Sequence, residues 1–424
     1  MNRSELDNTR VLLPPNKDAA FRRLKIEREI AKKSVDTRRD NRLKMFFDRR
    51  IAGMILPEER VCACGRIPIS APGARIQVSG ETGKYFSGIM NCGSVWNCPV
   101  CAKKIGLHRA ATVTTFLREF LDWKKERKYS LGFLTLTVRH HRGEALKDVL
   151  KKVLKTFRDI EQSRAFRARK KADKYFGCIR TVEVKHGGNG WHPHLHLLLV
   201  ADCDEGTLEG FAEFFIGEWM KREEDCSRAA QKYLPVRDDN GISDYVTKWN
   251  AATEMTMGSV KNLGESVTPF QMLRAFNRCR IKKGAKDYYK EMLMWQGLFQ
   301  EYSKAMKGKK QLTFARDLIR EYERISGKKF SMKSDEEINS EDQHDKKIVE
   351  IDREIFKLIA SYHLQAEVLN VIEFESVESC VSMLNECCVE CEFDPVRNII
   401  QEIKPPEPEF VYTSQEWERL VKPV

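Results

Sequence analysis

The chain has 424 residues, 42% of them hydrophobic, with 74 Lys and Arg against 62 Asp and Glu. That length exceeds one ordinary core and predicts two to three domains, and 22 Phe with 7 Trp exclude a wholly disordered chain. The longest apolar runs, such as His196–Ala201, are strand-length, and the opening Met1-Asn2-Arg3-Ser4-Glu5 has no apolar stretch. Membrane-spanning and secreted classes are therefore excluded, and a cytoplasmic protein is expected.

The net charge of +12 is an average of two unlike parts. Residues 331–424 hold 9 basic and 22 acidic residues, a net −13, whereas the first 330 hold 65 and 40, a net +25. A basic body of that size suits a polyanion. The acidic tail is expected to compete with phosphates for it.

In chain order, residues 17–50 read as a basic helix, with Phe21, Leu24, Ile26 and Ile30 too sparse for a core face. A solvated helix or an arm on DNA phosphates fits that pattern. Residues 60–102 are rich in Cys and Gly, and 103–129 carry helical apolar spacing. Leu131–Val138 alternates as a strand, 144–172 reads as a helix, and Phe176–Lys185 and His194–Ala201 read as strands. The turn cluster His186-Gly187-Gly188-Asn189-Gly190 joins the last two into an antiparallel hairpin. Helices are expected at 205–224, 241–252, 268–277 and 284–307. Ser334–Asp342 reads as an acidic linker, and 346–400 as helical, on the spacing of Ile348, Ile351, Ile355 and Ile359.

Thirteen cysteines without a secretory signal do not suggest a disulfide framework. Cys62, Cys64, Cys92, Cys98 and Cys101 offer five thiolates, one more than tetrahedral zinc needs. Cys98-x-x-Cys101 is one half of a structural Zn²⁺ site, and Cys92 with Cys64 or Cys62 completes it. Such a knuckle would also present Arg66 and Arg75 to DNA. Cys178, Cys203, Cys226 and Cys279 are scattered, and the late group at Cys380, Cys387, Cys388 and Cys391 lies in a helical stretch; both read as core thiols.

The sharpest chemical signal is Trp191-His192-Pro193-His194-Leu195-His196-Leu197. Residues two apart on a strand share a face, so His194 and His196 project together while the leucines turn to a core. A hairpin centred on 188–189 places Glu183 opposite positions 194–196. Two imidazoles and a carboxylate suit Mg²⁺ or Mn²⁺. Further on, Tyr245 and Lys248 lie three apart in a predicted helix and share a face. A tyrosine can attack a phosphodiester and a nearby ammonium can stabilise the charge that develops.

Phe133-Leu134-Thr135-Leu136-Thr137, then Trp191–Leu199, then Tyr245-x-x-Lys248 resemble, in order, the three motifs of HUH endonucleases. The closer resemblance is to plasmid rolling-circle replication initiator (Rep) proteins. Arg180–Val184, Asn91–Cys101 and Lys307–Leu312 carry it, over about residues 60–330. The resemblance implies an α+β fold, with an HUH-type antiparallel sheet and flanking helices. A zinc knuckle and a helical C-terminal region complete the expected architecture. Its segments are a basic arm (1–59), a knuckle (60–105), an endonuclease core (106–330) and an acidic region (331–424). It further implies that a metal on His194, His196 and Glu183 polarises a phosphate of origin DNA, single-stranded or cruciform. Tyr245 then forms a 5′-phosphotyrosine and frees a 3′-OH for synthesis, with host helicase and polymerase as partners. Related initiators carry Glu one turn before the tyrosine, where this chain has Gly241, which leaves termination chemistry open. An HUH transposase is usually shorter and a relaxase places its tyrosine before the histidines. A zinc-binding regulator without catalysis leaves His194, His196 and Tyr245 unexplained.

Overall fold

A computed structural model of the chain describes residues 38–69, 76–79, 84–122, 129–223, 226–236, 266–281, 286–340, 347–387 and 389–403. Helix α1 (Arg38–Ile55) is followed by β1 (Ile76–Ser79) and β2 (Tyr85–Ser87). Helix α2 (Pro99–Asp122) starts on a proline, whose fixed φ suits a first helical turn. Then come β3 (Tyr129–Thr137), α3 (Leu146–Gln162), α4 (Arg164–Ala172), β4 (Tyr175–Gly187), β5 (Gly190–Asp202) and α5 (Glu205–Arg222). Next are β6 (Lys232–Val236), β7 (Ser266–Val267), α6 (Pro269–Ile281), α7 (Lys286–Met306), β8 (Leu312–Phe314), α8 (Arg316–Ser326) and α9 (Asp335–Ser340). The last elements are β9 (Lys347–Ile351), α10 (Arg353–Ser361), α11 (Gln365–Phe374), α12 (Val377–Glu386), β10 (Cys391–Asp394) and β11 (Ile399–Glu402). The helix expected over 144–172 is two helices, because Ser163 caps the second: its Oγ accepts from the Phe166 N–H at 3.1 Å.

The chain divides into two units, and the larger comprises Arg28–Cys64 and Asn91–Glu341. Its described strands form one sheet in the order β6-β3-β5-β4-β7, with β8 also on β4, and every pairing is antiparallel. The β4–β5 turn has two residues, Gly188 and Asn189, between the paired Gly187 and Gly190. Gly190 has φ +91°, and a Cβ there would sit 3.0 Å from the His141 carbonyl. A larger residue is therefore disfavoured twice over, and the tight turn fixes the register of the hairpin.

The two faces of the sheet are covered differently. On the back, Leu134, Leu136, Val182, Val184, Leu195, Leu197 and Leu199 share one buried core with α3 and α5. On the front, Leu131, Ile179, Leu198 and Val200 are buried with residues of α2 and α8, among them Phe116, Phe120, Leu318 and Tyr322. That cover thins toward the hairpin turn, where Glu183, Lys185, His192, His194 and His196 are half-buried. Helix α1 departs from the expected arm. Its Asp48, Ile51, Ala52 and Ile55 are buried and its apolar residues join the main core. The remainder of the 17–50 stretch lies outside the described residues.

The second unit joins Gly65–Met90 to the chain from Asp342 onward. Residues expected to belong to the cysteine knuckle thus pair elsewhere. Strand β1 pairs with β9, and the described sheet runs β10-β11-β9-β1-β2, with β11 and β9 parallel. Ile348 and Ile351 lie on β9 rather than on a helix, whereas α10, α11 and α12 supply the expected helical part. Phe86 meets Phe356 edge-on at 5.3 Å, and Val78, Val349, Ile355 and Ile359 are fully buried. The architecture is α+β, with an antiparallel sheet, flanking helices and a largely helical C-terminal region. No helix among the described residues is long and apolar enough to cross a membrane.

Candidate functional site

The hairpin register places Glu183 opposite His194 and Thr181 opposite His196. On the other side of β5, Thr137 lies opposite His194 and Thr135 opposite His196. Opposed residues of an antiparallel pair share a face, so all six project from the open half of the front. His196 Nε2 is 2.9 Å from Glu183 Oε2, and its Nδ1 is 3.1 Å from Thr135 Oγ1. Phe133 stacks on the same imidazole at 5.4 Å. Lys185 Nζ reaches Glu183 Oε1 at 3.0 Å. The ring of His194 lies nearly parallel to that of His196 at 5.9 Å, and its Nδ1 is buried without a hydrogen-bond partner. Two more imidazoles continue the row, with His192 at 4.0 Å from His194 and His140 at 4.3 Å from His192.

The electrostatics keep Glu183 ionised and two of the imidazoles neutral. Burial opposes the charge on Glu183, but the His196 hydrogen bond and the Lys185 ammonium outweigh it and hold the carboxyl down at about 2. Burial pushes His194 down to about 3 and His192 to about 4, so both rings are neutral near pH 7 with lone pairs to offer. A carboxylate beside neutral imidazoles, one with an orphaned buried nitrogen, fits a divalent cation. In the described geometry Glu183 gives its oxygens to His196 and Lys185 instead.

Buried neighbours hold this arrangement in place. The Thr137 N–H donates to Gln231 Oε1 at 2.8 Å, and its carbonyl accepts from Trp219 Nε1 at 2.9 Å and Gln231 Nε2 at 3.2 Å. The Thr137 hydroxyl donates to the Pro193 carbonyl at 3.2 Å. Gln231, 2% exposed, thereby fixes the end of β3 beside His194. Buried Trp191 packs against His186 and Tyr302, which anchors the turn end of the hairpin. Sequence reasoning missed Thr135, Lys185 and Gln231. The first two were detectable as same-face neighbours of Glu183 and His196, while nothing local marks Gln231. Tyr245, Lys248 and Gly241 lie in 237–265, outside the described residues, as does the helix expected at 241–252.

The second cluster is sulfur. Cys64, Cys92, Cys98 and Cys101 are buried with their Sγ atoms all within 4.8 Å of one another. Cys62, the alternative to Cys64, is outside the group. Cys64 Sγ is 3.7 Å from the Sγ atoms of Cys98 and Cys101, as is Cys92 Sγ from that of Cys101. A disulfide needs roughly 2.05 Å, whereas tetrahedral zinc with bonds of about 2.3 Å separates its sulfurs by roughly 3.8 Å. Hydrogen bonds from Cys101, Cys92 and Cys98 pull the Cys64 thiol down to the thiolate, while burial pushes Cys98 up. Four thiolates this close repel, and a divalent cation is what lets all four ionise. The donor set fits zinc. Of the late cysteines, Cys380 and Cys391 are buried thiols.

Residues 89–210 match the family described as replication protein, Rep_1. Within that segment the chain is similar to replication proteins. The match covers Cys92, Cys98, Cys101 and the whole β4–β5 hairpin. The chain is 27% identical to "Protein rep" of Streptomyces lividans over 245 residues, 44% of this chain and 53% of the relative. It is 28% identical over 145 residues to "Neomycin resistance protein" of Streptomyces cyanogenus, 28% of this chain and 32% of the relative. It is 31% identical over 123 residues to "Protein rep" of a Bacillus species, 28% of this chain and 37% of the relative. The chain thus spans a third to a half of the length of these curated relatives. No solved structure matches.

Proposed function

We propose that this chain is a replication protein that initiates rolling-circle replication of a plasmid by cutting and rejoining one DNA strand at the origin. The observation that carries the reading is the convergence of Glu183, His194 and His196 on the open half of one sheet face, inside the family-matched segment. These three residues would hold Mg²⁺ or Mn²⁺. When bound, that cation supplies Lewis acidity toward a phosphate oxygen. Thr135 sets the orientation of the His196 ring, and Lys185 keeps Glu183 ionised.

Tyr245 is the nucleophile. Its oxygen bonds to phosphorus, the bond to the 3′ oxygen breaks, and the phenol proton is released as the leaving oxygen takes one up. The products are a 5′-phosphotyrosine and a free 3′-OH, which primes synthesis. Lys248, three residues on in the sequence, offsets the charge gathering on the phosphate. The four buried cysteines hold a structural Zn²⁺. The substrate is origin DNA presented single-stranded or as a cruciform, and host helicase and polymerase act on the primed strand.

The test is a single-stranded origin oligonucleotide with Mn²⁺. The wild type leaves a covalent protein–DNA adduct and Tyr245→Phe leaves none. An undiminished adduct in the variant overturns the nucleophile. A wild type that binds the origin without cutting it indicates a regulator and overturns the reading.

A further inference from the structure

We infer that the outer surface of α3 and α4 is a docking face for duplex DNA, on the opposite side of the sheet from the cutting site. The inference rests on the reading of the chain as a DNA-cutting protein and adds a second DNA surface to it. Helix α3 buries Val149, Val153, Phe157 and Ile160 in the core shared with Leu195, Leu197 and Leu199, the residues that point away from His194 and His196. Phe166 of α4 packs on Tyr175, Phe211 and Phe215 of that same back layer.

The remaining positions of these helices are strongly basic. Residues 147–174 hold 11 Lys and Arg against 4 Asp and Glu, a net +7. Five of the cations are committed: Lys152 to Glu223, Lys155 to Asp159, Arg169 to Asp173, Lys170 to Asp317 and Lys174 to Asp202. Lys147, Lys151, Arg158, Arg164, Arg167 and Lys171 are exposed and have no ion-pair partner among the described residues. Their spacing is not random. Lys147, Lys151 and Arg158 fall at i, i+4 and i+11 on one stripe of α3, and Arg164, Arg167 and Lys171 at i, i+3 and i+7 on one stripe of α4. At 1.5 Å per residue the first stripe is about 16 Å long, the axial span of roughly five phosphates on one strand.

The occupant is duplex rather than single-stranded DNA. Single-strand surfaces interleave cations with exposed aromatic rings on which bases stack. The aromatic residues of 146–174 are Phe157 and Phe166, and both are buried in the core. A pair of helices with a net positive outer surface and no exposed aromatic ring matches a phosphate backbone, not unstacked bases. One face would then anchor the duplex while the other acts on a strand drawn from it.

Two variants test this, Lys147→Gln/Lys151→Gln/Arg158→Gln and Arg164→Gln/Arg167→Gln/Lys171→Gln, each measured on origin duplex and on the single-stranded oligonucleotide. Each variant is expected to lower the slope of log affinity for duplex against log salt by about 3. Duplex affinity should fall roughly tenfold or more near 0.1 M salt, with adduct formation on the single strand unchanged. Variants that bind duplex like the wild type overturn the docking face. So does a loss shared equally by duplex and single strand, which would make the surface a single-strand path. Failure of the cutting reading looks different: the wild type itself then forms no adduct.

Discussion

The Glu183 carboxylate and the His196 imidazole are joined by a 2.9 Å hydrogen bond that runs diagonally across the β4–β5 hairpin, because the residue directly opposite Glu183 is His194. The carboxylate thus touches one histidine while facing the other. Glu183→Gln keeps the shape and the contact but removes the charge that a divalent cation needs. Single-turnover cutting with Mn²⁺ should fall by about 100-fold or more, several kcal/mol of lost charge stabilisation, with the melting point little changed. Cutting at the wild-type rate would remove Glu183 from the metal site.

Thr135 gives a subtler prediction. If His196 ligates through Nε2, its Nδ1 must carry the proton and donate it to Thr135 Oγ1, 3.1 Å away. Thr135→Val preserves the β-branched shape and deletes that acceptor. Loss of such an orienting partner weakens metal binding by about 10–100-fold. The Mn²⁺ concentration for half-maximal cutting should rise accordingly while the rate at saturating Mn²⁺ is retained. An unchanged Mn²⁺ requirement would show that Thr135 plays no part in holding the ring.

Much of the hairpin was readable in the sequence because its determinants are local. Alternation fixes which residues share a face, and a two-residue turn fixes which residues lie opposite one another. The second unit was not readable. Gln77 pairs with Glu350, 350 − 77 = 273 residues further along the chain, and no local pattern marks a partner so remote. Strand β9 runs into α10 after a single residue, so Ile348 and Ile351 on the strand happen to continue the spacing of Ile355 and Ile359 on the helix. The choice between Cys62 and Cys64 was open for a similar reason. Two residues apart, they differ only in which one the three-dimensional cluster can use.

The same non-local pairing changes what truncation should do. If the acidic tail competes for the basic body, deleting the residues after about 335 should raise non-specific DNA affinity. In the fold it strips β9 from β1 and leaves β1 and β2 as a two-stranded remnant with Val78 and Phe86 uncovered. Such a remnant is at best marginally stable and presents an open edge. The truncated protein should aggregate or bind a hydrophobic dye. A monomeric, dye-negative truncation would mean that residues 76–87 do not depend on β9.

The cysteine cluster makes a contrast between near neighbours. Cys64→Ser should lose the bound zinc and Cys62→Ser should retain one zinc per chain. Each kcal/mol lost moves the midpoint of a large domain by about 2–4 °C, so loss of a structural site worth several kcal/mol should lower it by about 10 °C or more. Metal content and thermal unfolding of the two purified variants measure this. Equal zinc content in both would exclude Cys64 as a ligand.

The last prediction concerns an ion pair between α1 and α6. Asp48 of α1 is 1% exposed and accepts from Arg274 Nε of α6 at 2.9 Å. Burial pushes its carboxyl up to about 6, against the pull of Arg274. The folded state therefore holds a proton that the unfolded chain, with a carboxyl near 3.8, releases earlier. The resulting stability is fully present below about pH 4 and is lost as pH rises through about 6, a total of about 3 kcal/mol. Arg274→Met removes the cation and pushes Asp48 higher still. At pH 5, where Asp48 is mostly protonated, the substitution should cost little. At pH 8 it leaves an uncompensated buried carboxylate and should cost about 3–5 kcal/mol. Denaturant midpoints of wild type and variant at the two pH values give the comparison. An equal loss at both would mean that the pair acts through packing and not through charge.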